Sequence, residues 1–293
     1  MDRVMKMGGD IRTGMGSAAP DGTLGAMRTI AAAPLPAGEH LGGKEAVWYR
    51  TLLQGLVGMI VFFGAWQLVS SLKLLNPTFI SSPFDVARSG VQLLPKGIFW
   101  HDVGVSALEF GVGYSLAAVV GICVGLMLGL SERIDNHTQP LLSALYATPH
   151  VAFFPIMIVW FGIGIRSKQA LVFLLAVLPI VIAVRSGARV LNSQFTELAK
   201  IYQATRLRIL GKVILPGCLP SVLNGLRLAV GTGLVGVFVG ELYAANAGLG
   251  YLAANAGETL DTSVALFALL VFAISGLTLS GIITLCERRY ASW

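Results

Sequence analysis

Thr51 to Leu72 reads TLLQGLVGMIVFFGAWQLVSSL, 22 residues without a single charged side chain. An α-helix rises 1.5 Å per residue, and about 20 apolar residues cover the hydrocarbon thickness of a bilayer. The stretch is therefore long enough to cross a membrane. Composition extends the reading to the whole chain. Of 293 residues, 55% are hydrophobic and 12% charged, and the mean hydropathy is +0.75. Soluble domains carry about 25% charged residues, so a water-soluble globular protein is excluded. The 35 glycines fit helices whose backbones approach closely within a bilayer.

Working outward from this first span, Ser106 to Leu130 is uncharged after Glu109, and Thr262 to Cys286 is apolar throughout. Leu141 to Ile165 forms a third span, interrupted by Pro149 and Pro155, and Gln169 to Val184 a shorter fourth with Pro179 inside. Proline removes a backbone donor, so these two are expected to kink. The fifth span is the least defined. Its apolar heart, Leu228 to Gly240, is too short to cross alone, and we place its ends near Pro220 and past Glu241. Gly121, Gly125 and Gly129 in the second span, and Gly236 and Gly240 in the fifth, repeat every four residues and are expected to be helix-packing faces. The expected fold class is all-α, a polytopic bundle of six transmembrane helices.

Six spans put both termini on one side. Sixteen of the 21 Lys and Arg residues fall on that side, which the positive-inside rule makes the cytoplasm. The net charge of +6 and pI near 9.4 follow from this asymmetry and require no nucleic acid. Residues 1 to 46 lack a continuous apolar run, which argues against a cleaved signal peptide. They are expected to be a disordered cytoplasmic tail, with residues 47 to 293 forming the membrane domain. Ser82-Pro83-Phe84-Asp85 places Ser at an N-cap, Pro at N1 and an acid at N3, the start of a short helix. Cys123, Cys218 and Cys286 suggest neither a disulfide nor a metal site.

One connection is unusually long. Arg185 to Arg227 holds seven basic residues and one acid, Glu197. Within it, Ile201, Tyr202, Ile209, Leu210, Val213 and Ile214 are apolar at spacings of 3 and 4, against polar Lys200, Gln203, Arg208 and Lys212. This predicts an amphipathic helix, ended by Leu215-Pro216 and Leu219-Pro220. Such a helix can lie on anionic lipid, cap its own bundle or dock into a partner's groove. Spacing leaves all three open.

Glu197-Leu198-Ala199, Ala204 and Val213-Ile214-Leu215-Pro216 resemble the EAA loop of inner-membrane permeases in binding-protein-dependent ATP-binding-cassette importers. Leu198 and Gln203 stand where the family has Ala and Gly. The resemblance runs from about Phe79 to Arg289 through Ser82-Pro83, Val120 to Leu130, Trp160 to Gly164, Gly225-Leu226-Arg227, Glu241 and Gly248-Leu249-Gly250-Tyr251. In order and spacing these look like the nitrate, sulfonate and taurine branch. The resemblance implies a type I importer permease, paired as a homodimer with two cytoplasmic ATPase subunits and an external substrate-binding protein. It also implies that the loop docks the ATPase through Glu197, Leu198, Ala199, Gln203, Ala204, Leu215 and Pro216. We add Arg206 and Arg208 as cations able to pair with acids on that partner. Gly240, Glu241, Gly248 and Gly250 are candidates for the pathway or its gate.

The chain holds no P-loop of its own. The nearest pattern, Gly38 to Lys44, ends in Glu45, where a hydroxyl should hold magnesium and an acid would repel phosphate. ATP and Mg are therefore expected on the partner subunit, with no cofactor, metal or catalytic residue on this chain. Two other classes are open. A proton-coupled secondary transporter would use Glu109, His150 or Glu241, all expected near the interfaces. Glu109 is expected to be exposed there, where an acid would disfavour an anion. An intramembrane serine protease would need a base beside Ser115 or Ser143, and the spans offer only His150. The expected function is import of a small solute across the inner membrane, such as a sulfonate, nitrate or taurine.

Overall fold

The computed structural model describes residues 43–72, 80–201 and 210–290. Its helices are α1 (Gly43–Ser71), α2 (Pro83–Leu93), α3 (Gly97–Leu130), α4 (Glu132–Ala147), α5 (Phe154–Phe161), α6 (Ile165–Ile201), α7 (Leu219–Ala244), α8 (Leu249–Glu258) and α9 (Thr262–Tyr290). A 3₁₀ turn, His150–Phe153, leads into α5, and a π-helical turn, Leu210–Ile214, precedes α7. The chain divides at Ile60/Val61. The first unit contributes only the start of α1 to the described residues, and all contacts below belong to the second. Of the expected tail, residues 1–42 lie outside the described residues, and α1 already begins at Gly43.

Among the described residues, five helices are long and apolar enough to cross a membrane, and six if the bent pair α4 and α5 is one crossing. That pair corrects the expected third span. Instead of one kinked rod over Leu141 to Ile165, the chain turns by 85° between two helices. Pro149 sits just before the 3₁₀ turn, and Pro155 lies in the first turn of α5, where its missing N–H costs no hydrogen bond. The fourth span is longer than expected, because α6 runs unbroken through Pro179 for 37 residues. Arg185 and Arg189, read from the sequence as loop residues, are therefore helical, and the long connection begins only after Ile201.

Helix α6 is the centre of the bundle. Val172, Ala176, Ile180, Val184 and Ala188 are fully buried, one every four residues. Against them lie small residues of two neighbours: Gly113, Ala117, Gly121, Gly125 and Gly129 of α3, and Gly225, Gly236 and Gly240 of α7. A Cβ added at Gly125 would lie 2.7 Å from Val184 Cβ and 2.9 Å from the Val181 carbonyl oxygen. Only glycine lets the two backbones meet there, as the four-residue repeat predicts. The register advances in step, Gly121 on Ile180, Gly125 on Val184 and Gly129 on Ala188, so α3 and α6 run parallel. Helix α7 runs antiparallel to α6, from Gly225 beside Ala183 to Gly240 beside Lys168.

A second core joins α3, α7, α8 and α9 through Phe99, Phe110, Val237, Leu249 and Phe272. Helix α2 packs on α9, with Ser81 and Ser89 hydroxyls bonded to those of Thr262 and Ser263. The expected N-terminus of α2 forms as a capping box, in which Asp85 N–H donates to Ser82 Oγ and the Asp85 carboxylate accepts from Ser82 N–H.

Candidate functional site

Where α3, α6, α7 and α8 meet, polar side chains fill an otherwise apolar interior. Asp102, Ser106 and Glu109 fall at spacings of four and three along one face of α3, and all are buried. Glu109 is 0% exposed and pairs with Lys168, itself 4% exposed, near the start of α6. The sequence reading placed Glu109 at an exposed interface, and the structure corrects this. The carboxylate enters the bundle because Lys168 neutralises it, which is the condition for burying a charge without an uncompensated desolvation cost.

Glu241 of α7 is also 0% exposed. Its Oε1 accepts a 2.6 Å hydrogen bond from Ser106 Oγ and its Oε2 a 2.6 Å bond from Gly250 N–H. Ser106 Oγ in turn accepts from Leu249 N–H, and Asp102 Oδ1 from Gly248 N–H, each at 2.9 Å. Three successive backbone donors at the start of α8 thus find side-chain acceptors. These donors have no partner within the helix, and negative charge is favoured at a helix N-terminus. Gly248 has φ +119°, and a Cβ there would run into the Glu241 carboxylate, so the site requires glycine on both counts. Of the pathway or gate candidates, Gly240 packs on Lys168, and Gly248 and Gly250 pack on Glu241. All four share this buried contact.

Sequence reading missed Asp102, Ser106 and Lys168, and missed α8 as a helix. The signal for the first two was present in their helical spacing with Glu109. Lys168 falls between the expected third and fourth spans, where local pattern makes it a connector charge.

At the other border of the apolar stretch of α6, residues 169–184, lies a second charged cluster. Asp135, 1% exposed, receives Arg185 through Nε and through NH2 at 3.0 Å, and Arg189 NH1 at 2.8 Å. The Arg189 side chain is half exposed. Arg227 of α7 pairs with Glu287 of α9.

The expected docking loop is only partly described. Glu197, Leu198 and Ala199 lie on the last turns of α6, whereas Gln203, Ala204, Arg206 and Arg208 fall outside the described residues. At the far end Ile214 and Cys218 are buried against Ala188. Leu215 and Pro216 between them are exposed.

Long apolar helices packed through small residues around α6, with a broken helix pair, define a multi-pass membrane permease of the type I importer fold. A subunit of the MetNI methionine ABC transporter, solved in inward-facing conformations, shares the fold at a TM-score of 0.57 and 18% identity, over 66% of this chain and 96% of that one. The chain belongs to the family described as the binding-protein-dependent transport system inner membrane component, whose model matches residues 121–292. The taurine transport system permease protein TauC of Escherichia coli is 31% identical over 264 residues, 87% of this chain and 96% of the relative. The nitrate import permease protein NrtB of Leptolyngbya laminosa is 24% identical over 260 residues, 85% and 91% of the two chains. The protein is a transport permease subunit of the inner membrane that works with a binding protein.

Proposed function

We propose that the chain forms the gated path of an importer driven by ATP hydrolysis on separate cytoplasmic ATPase subunits, and that two copies of it pair to enclose the path. Both termini and the α6–α7 connection lie in the cytoplasm, where basic residues are retained. The observation that carries this reading is the match to the binding-protein-dependent family across residues 121–292, which includes that connection. Its end presents Leu215 and Pro216 to solvent between two buried anchors, Ile214 and Cys218, as a docking element should. The ATPase, rather than this chain, holds ATP and Mg.

The transported solute is a small anion or zwitterion bearing a sulfonate or comparable oxyanion group, as the names of the taurine and nitrate relatives suggest. Glu109 does not oppose this, since Lys168 neutralises it. The proton-coupled alternative loses ground at the same site, where Glu109 and Glu241 are committed to an ion pair and to the start of α8.

The test is to tag the chain, extract it from its membrane in mild detergent and identify its companions by mass spectrometry. An ATPase subunit is expected at equal stoichiometry. Ala204→Asp should remove it and abolish ATP-dependent uptake while membrane insertion persists, because a charge in a packed contact is costly. A fully active Ala204→Asp variant, or a chain that transports alone under a proton gradient, would overturn the reading.

A further inference from the structure

The second charged cluster borders a cavity of about 780 Å³ between α4, α6 and α7. Its wall includes Ser143 and Tyr146 of α4, Arg185 and Ser186 of α6, and Ser221 and Asn224 of α7. Pro179, six residues before Arg185 within the apolar stretch of α6, also lines it, so the cavity extends from Arg185 into the membrane-spanning part of the bundle. Tyr146, Ser186 and Asn224 are exposed. Polar groups on membrane-spanning helices are tolerated where they face protein partners or water rather than lipid. This face therefore meets water or a protein partner rather than lipid.

Its charge has one sign. Among the described lining residues, Arg185 is the sole charged side chain. Its partner Asp135 is shared with Arg189, so one carboxylate faces two guanidinium groups and the cluster keeps one net positive charge. Asp135 uses both oxygens on the arginines and is almost fully buried, which fixes Arg185 in place as a preorganised cation. The rest of the wall is partly apolar, through Leu142, Ile182 and Leu228, and partly polar, with hydroxyl and amide donors from Ser186, Ser221 and Asn224. A fixed cation with neutral donors around it is the complement of an oxyanion. The volume falls within the range of about 300–1,000 Å³ typical of ligand sites and is far larger than one sulfonate or nitrate group. It suits a solute that passes through still partly hydrated.

We propose that this cavity is a transit site for small oxyanions, with Arg185 as its fixed charge, Asp135 as the residue that positions it, and Ser186, Ser221 and Asn224 as neutral donors. The proposal rests on the importer reading for its solute. Its test does not require transport.

The experiment introduces Asn224→Cys into a full-length chain whose exposed native thiols, Cys123 and Cys286, are replaced by Ala. Membranes are treated with 2-sulfonatoethyl methanethiosulfonate, itself a small sulfonate, or with its trimethylammonium counterpart. Each rate is divided by that of the same reagent with a free thiol. The anionic reagent is expected to react about tenfold faster, the effect of one nearby unit charge in a partly wet site. Arg185→Gln should abolish the preference and Arg185→Lys retain it. Ser186→Asp, which leaves the Asp135 cluster intact, should reverse it, so the test survives even if Arg185→Gln fails to fold. Millimolar nitrate or methanesulfonate should slow labelling by the anionic reagent.

Equal rates, a faster cationic reagent, or a thiol unreactive to both would overturn the transit site and leave the importer reading standing. Failure to recover an ATPase would overturn the importer reading and leave the labelling result intact.

Discussion

The two borders of the apolar stretch of α6, residues 169–184, carry charge in opposite ways. At Lys168 one cation meets one carboxylate in a sealed interior, beside a second carboxylate that holds α8. At Arg185 two cations meet one carboxylate, one of them half exposed, beside a cavity. The first arrangement satisfies groups that could not otherwise be buried, and so maintains structure. The second leaves positive charge over, and so can act on something else. A buried ion pair marks function less by its presence than by whether every charge in its cluster is taken up by fixed partners and whether a cavity adjoins it.

Breaking the sealed end should cost most. Lys168→Met strands Glu109 without its cation and is expected to destabilise the protein by about 3–5 kcal/mol, whereas adding Glu109→Leu to it should return most of that loss. Thermal unfolding of the detergent-solubilised protein checks both, and a double variant no better than the single would contradict the paired-charge account. Gly248→Ala comes next, at about 2–3 kcal/mol from a strained backbone and a displaced carboxylate. Hydrogen exchange should report it as loss of protection in α8 before the rest of the bundle, and uniform protection would rule out the capping role of Glu241. The smallest effect is expected at the open end. Asp135→Asn leaves one acceptor oxygen for Arg185 and sets an amide N–H against its guanidinium, while Arg189 turns to water. Beside the cavity, where water can reach Arg185, this is expected to cost about 1.5 kcal/mol in the same unfolding assay. A loss as large as that of Lys168→Met would erase the contrast between the two ends.

Most helices were legible in the sequence because a membrane span is a statement about length and apolarity. The start of α9 at Thr262 and the start of α7 near Pro220 are read almost to the residue, while α9 runs four residues past the expected Cys286. The glycine repeats were equally plain, since a four-residue period of small residues has few uses other than close packing. The errors share a cause. Charges were read as markers of loops, so Arg185 and Arg189 ended a helix that continues to Ile201, and Lys168 remained outside the bundle it enters. Whether a charge is at a surface or paired inside depends on a partner far along the chain, such as Glu109 for Lys168, and local pattern does not reveal it. Helix α8 escaped for a related reason. Its start is fixed by Asp102, Ser106 and Glu241 on two other helices rather than by a capping side chain of its own.

The parallel register of α3 and α6 also governs how the protein can be made. Two helices that point the same way cannot be joined by a tight hairpin, so the chain must travel back between them, and the broken pair α4 and α5 makes that return. During synthesis the glycine face of α3 emerges long before Val172 to Ala188 exist to cover it. Until then its exposed backbone has only lipid or the insertion machinery for company. The order of assembly is thereby constrained, because α6 completes α3 only after the bent return is in place, and α7 then packs against both of them.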